Sequence, residues 1–176
     1  ENLNHIQQEL QRSKEDFILE HFAKYTSPEF PPVWKTLEII SLGTLSKLYY
    51  NLSDKAIKKQ IAHDLDVPQH LYLESWIKAT TLLRNCIAHH ARIWNRRFPN
   101  MPQLPKRMPK TWISSTRLPM MKLYAQLCCI AYLQNSIHPD NTFKQDLFAL
   151  LEAHPNVDVK AMGFPANLRE EPLWND

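Results

Sequence analysis

At 176 residues, with 44% apolar and 22% charged residues, the chain is long enough for one domain with a sizeable core and reads as a soluble globular protein; no apolar run approaches the roughly 18 residues of a membrane span. The two glycines, Gly43 and Gly163, leave no glycine-rich phosphate loop or dinucleotide fingerprint. Three cysteines, Cys86, Cys128 and Cys129, lack CxxC spacing, which argues against a disulfide framework or a thiolate zinc site and for a reducing cytoplasm. The formal charge of +3 hides an asymmetry: from Ser75 to Pro139 there is no Asp or Glu, while Lys78, Arg84, Arg92, Arg96, Arg97, Lys106, Arg107, Lys110, Arg117 and Lys122 supply ten positive charges. Such a segment suits a polyanion on one face, or is a basic surface with no partner.

The chain opens at Glu1 without an initiator Met and already in helical periodicity, so it reads as a fragment or processed form, with a single domain expected over 1–176. Leu3, Ile6, Leu10 and Phe17 recur at helical intervals, predicting one long amphipathic helix to about Lys24. "SPEFPP" (Ser27 to Pro32) breaks it, and Pro32 opens a helix through "VWKTLEIISLGTLSKLYYNL". Its apolar stripe is Trp34, Leu37, Leu45, Leu48 and Leu52. Glu38 falls inside that stripe and, if buried, needs a cation, with Arg84 the first candidate; an exposed Glu38 at the wheel's edge is the alternative.

Ser53 and Asp54 cap a short helix, "SDKAIKKQIAHDL", and Pro68 ends that connection. The third major helix is predicted from Gln69 to Asn95. A long loop with Pro99, Pro102, Pro105 and Pro109 follows, too proline-rich for regular structure. Met120 to Gln134 form an apolar helix with Cys128 and Cys129 in the core, and a last helix runs from Asn141 to about Ala153. The tail "AMGFPANLREEPLWND" is irregular, with Phe164 and Trp174 expected to pack back. Without an alternating β pattern the fold is all-α.

The stretch "LLRNCIAHHARIWNRR" concentrates the chemistry. On a wheel of about 100° per residue, Arg84, Ala88, Asn85, His89, Arg92, Asn95 and Arg96 share one arc. Leu83, Cys86, Ile87, Ile93 and Trp94 share the other, with His90 in its middle. His90 therefore reads as a hydrogen-bonded core residue and His89 as the chemical one. Arg84 and His89 lie roughly 7.5 Å apart along the axis, flanking small Ala88. A guanidinium that binds phosphate beside an imidazole that moves protons suits a phosphodiester, and in RNA the 2′-hydroxyl supplies the nucleophile. No cofactor is expected. A metal site built from His63, His70, His89 and His90 is the competing chemistry, although their spacing is not that of ligands.

"RNCIAHH" is similar to the R-x(4–6)-H signature of the HEPN superfamily of ribonucleases. "FPPVWKTLEIISLGTLSKLYYNL", "SWIKATTLLRNCIAHHARIWNRR" and the closing "MGFP…PLW" resemble the abortive-infection (Abi) phage-defence proteins of bacteria, AbiD/AbiF-like, within it. The resemblance spans nearly the whole chain. It implies a HEPN-type helical bundle, usually a homodimer, whose two Arg/His motifs meet at the interface as a metal-independent endoribonuclease, a hydrolase acting as a toxin in the bacterial cytoplasm. Arg84 would stabilise the phosphate, His89 would act as acid and base, and Asn85 would orient them. Arg92, Arg96, Arg97, Lys106 and Arg107 would bind RNA, as substrate or as an RNA antitoxin, with Glu38 and His90 supporting. A non-catalytic HEPN-type RNA-binding or protein-interaction module is the alternative. Leu168 stands where the family favours Trp, which touches only the packing of the tail.

Overall fold

The computed structural model describes residues 2–105, 109–114 and 117–175. Among them the protein is all-α, with eight helices: α1 (Asn2–Arg12), α2 (Asp16–Lys24), α3 (Val33–Ile39), α4 (Leu42–Asn51), α5 (Lys55–Asp64), α6 (His70–Ala88), α7 (Leu123–Ile137) and α8 (Phe143–Ala153). No helix of the described residues is long and apolar enough to cross a membrane. The chain packs as two compact units, Glu1–Ser53 and Asp54–Asp176.

In the first unit, Ile6 and Leu10 of α1, Ile18 of α2 and Ile40 bury their side chains together, with Phe17, Phe30, Ile39 and Leu48 packed against them. Each of the four fully buried chains contributes on the order of 1.5–3 kcal/mol. Two helices predicted as continuous are broken, each by a serine. At Ser13 the side chain accepts the Glu15 N–H, which diverts a backbone donor and ends α1, so Leu3 to Lys24 is not one helix. At Ser41 the hydroxyl accepts the Thr44 N–H as the N-cap of α4, and the Glu9 carboxylate accepts the Ser41 N–H (3.0 Å) and the Thr44 hydroxyl (2.9 Å).

That second break resets the phase between α3 and α4 and overturns the predicted stripe. No residue of α3 is buried, and Trp34 is 70% exposed, with Leu37, Leu45 and Leu52 also open. Glu38 is exposed rather than buried. Its carboxylate is hydrated and calls for no buried cation, so the reason for pairing it with Arg84 falls away.

In the second unit, Asp54 caps α5 by accepting the Ala56 and Ile57 N–H groups, as its position predicts. The buried Lys58 ammonium of α5 meets Glu74 of α6 at 2.7 Å. Trp76 of α6 stacks on Trp112 at 5.1 Å, and Tyr132 of α7 meets both rings edge-on. Cys128 and Cys129 are fully buried on α7, where burial pushes the Cys128 thiol up to about 12 and raises Cys129 as well.

Between Ala88 and Leu123 no described residue is helical, and Lys106 and Arg107 of the proline-rich stretch lie outside the described residues. The tail packs back as expected. Trp174 is buried and donates its indole N–H to the Tyr124 hydroxyl (3.2 Å), Phe164 lies 5.1 Å from the Tyr124 ring, and buried Glu171 accepts the Ser114 hydroxyl at 2.9 Å.

Candidate functional site at the carboxyl end of α6

Helix α6 carries Arg84, Asn85 and Ala88 in its last turn and a half, and His89 is its C-cap. The His89 N–H still donates to the Asn85 carbonyl at 3.0 Å, in the i to i−4 register of the helix. The wheel therefore holds through His89. Arg84, Asn85, Ala88 and His89 are all open to solvent, whereas Leu83 and Cys86 of the other arc are buried. Ile87 departs from that arc, at 54% exposed. One guanidinium N–H of Arg84 donates to the Asn85 carboxamide oxygen (3.3 Å), so the amide sits against the arginine.

At His90 the wheel fails. His90 has φ +52°, in the left-handed region; its N–H donates to the Ile87 carbonyl (2.9 Å), and the following Ala91 N–H reaches the Cys86 carbonyl (2.8 Å). This double bond pattern closes a helix with a left-handed residue just past its cap. The helix ends at Ala88, not near Asn95, and His90 is exposed rather than in the core. The termination was hard to read because the left-handed position is filled by His instead of Gly. Asp66 ends α5 the same way at φ +56°, with its N–H on the His63 carbonyl and the Val67 N–H on the Ala62 carbonyl. Gly163 (φ +91°) is the glycine at such a reversal, and a Cβ there would fall 2.7 Å from Pro119 Cγ.

Arg92, Arg96 and Arg97 follow in an irregular segment instead of on the helix. Arg96 donates to the Arg92 carbonyl (3.4 Å) and Arg97 reaches the Met121 thioether (3.6 Å). Arg92 and Arg97 are exposed and Arg96 is half-buried. Two residues of this region were not assigned their part from sequence. Lys122, grouped there with the basic charges, donates its ammonium to the Asn95 carboxamide oxygen at 2.5 Å, and Asn95 is left-handed at φ +50°. An asparagine three residues before a buried aromatic was the available signal, since Asn tolerates that backbone better than most residues.

A groove of about 780 Å³ lies at the other end of α6, lined by Lys59, His63, Asp66, Gln69 and His70. It is some 27 Å of helix away from His89 and His90. The four histidines therefore do not converge, and among the described residues no three His, Cys, Asp or Glu side chains are grouped to hold a metal.

The family model described as "Abi-like protein" matches residues 1–95, from the start of α1 through the Arg84–His89 motif to Asn95. No curated protein matches the chain, and no solved structure does. With more than half of its length under that match, the chain belongs to the Abi-like family of abortive-infection proteins.

Proposed function

We propose that the protein is a metal-independent endoribonuclease of HEPN type, acting as an abortive-infection toxin. The observation that carries the reading is the solvent-open cluster of Arg84, Asn85 and His89 on one face at the end of α6, with the Arg84 guanidinium hydrogen-bonded to Asn85. In this reading the Arg84 guanidinium binds the scissile phosphate and balances the charge that grows on it. The His89 imidazole takes the proton of the ribose 2′-hydroxyl, whose oxygen attacks phosphorus as the 5′-oxygen leaves. The products are a 2′,3′-cyclic phosphate and a 5′-hydroxyl end.

Leaving-group protonation calls for a second acid, and the His89 of a second copy supplies it at a homodimer interface. Motif side chains open to solvent are what such an arrangement requires. Incubation of the purified chain with total RNA, with and without EDTA, tests the activity, with His89→Ala beside it. Cleavage that survives EDTA and is lost in His89→Ala is the expected result. RNA binding without cleavage assigns the motif to a non-catalytic RNA-binding module instead.

A further inference from the structure

The segment from Ala91 to Phe98 carries three arginines and belongs to no helix, so a few tertiary contacts set its geometry. At one end the Ala91 N–H is fixed on the Cys86 carbonyl; at the other, Phe98 is fully buried and its N–H donates to the Met121 carbonyl at 2.7 Å. Between them the chain reverses at left-handed Asn95, where the Lys122 ammonium meets the Asn95 amide oxygen. Lys122 is itself seated. It is the N-cap residue of α7, and Gly163 lies so close that a Cβ there would stand 2.9 Å from Lys122 Cβ.

From this we infer that Lys122 and Asn95 are positioning residues: their hydrogen bond is a latch that holds the Arg92–Arg97 segment in one conformation for binding the phosphate backbone of single-stranded RNA. The inference rests on the ribonuclease reading for its ligand and adds the residues that organise its binding segment. Arginine side chains are rich in rotamers, and an irregular backbone beneath them multiplies the states that binding must freeze out. A latch at the middle of the segment removes that cost before RNA arrives. Lys122 spends its ammonium on an amide oxygen of the protein, at the surface, and not on RNA.

The test uses the full chain with His89→Ala, so that RNA is bound and not cut, and measures anisotropy of a labelled single-stranded RNA of mixed sequence across salt. Asn95→Ala removes the acceptor without changing charge, and is expected to weaken binding by about tenfold, with Asn95→Gly, which keeps the left-handed turn, similarly affected. Lys122→Arg, which can still donate, restores binding. In a Lys122→Met background Asn95→Ala has no further effect. Additive losses, together with a salt slope reduced by about 0.7 in Lys122→Met, place Lys122 directly on a phosphate and overturn the latch. Amide exchange without RNA reads the loop separately, and amides 91–98 should exchange faster in Asn95→Ala. Unchanged exchange with normal RNA affinity overturns the latch alone. A protein that binds no RNA overturns the ribonuclease reading, and with it the ligand assigned here.

Discussion

His90 and Ile87 close α6: the His90 N–H donates to the Ile87 carbonyl at 2.9 Å while the His90 backbone stands at φ +52°. The two adjacent histidines thus differ in backbone and not in exposure. His89 keeps helical register with Arg84 and Asn85, and His90 turns the chain away.

Replacing His90 by Gly should stabilise the protein. A left-handed backbone costs a residue with a Cβ roughly 1–2 kcal/mol, and glycine's freedom in the unfolded chain gives back about 0.5–1 kcal/mol of that relief. A net gain of about 0.5–1 kcal/mol is expected in urea unfolding, with RNA cleavage unchanged. A loss of stability would mean that the imidazole packs as the helical wheel placed it.

His89→Ala should leave the circular dichroism spectrum intact and abolish cleavage, because the side chain is exposed and its backbone bond to Asn85 survives truncation. Retained activity in that variant removes His89 from the chemistry.

Arg96→Ala and Arg97→Ala should each weaken RNA binding and reduce the slope of log affinity against log salt by about 0.7, the value for one phosphate contact on a single strand. Affinity that is insensitive to salt in the unmodified protein would show that this segment is not the RNA face.

Stability should fall at alkaline pH. Burial holds Cys128 protonated up to about 12 in the folded state against 9.0 for the free thiol, and Cys129, Tyr124 and Tyr132 are raised for the same first reason. Raised folded values favour the folded state fully below the unfolded values, and the contribution is lost as pH rises past them. The urea midpoint should therefore be flat between about pH 7 and 8 and lower at about pH 10.5, with Cys128 alkylated only on unfolding. A midpoint that rises over that interval contradicts the burial of these groups.

The all-α class, the Asp54 cap, the buried cysteines of α7, the returning tail and the exposed face of Arg84, Asn85 and His89 were all legible in the residues alone. They depend on periodicity and on local hydrogen bonding, which a short window of sequence contains. The breaks at Ser13, Ser41 and His90 were not, since nothing local distinguishes a serine or histidine inside a helix from one that ends it. At Ser41 the added bond is tertiary, from its N–H to Glu9; at Ser13 and His90 the bonds that end the helix are local, but they form at residue types that also occur inside helices. Each break resets the helical phase, which is why Glu38 and His90 came out exposed. The partnership of Lys122 with Asn95, 27 residues apart, belongs wholly to tertiary structure, because only the folded chain brings the start of α7 beside the arginine segment.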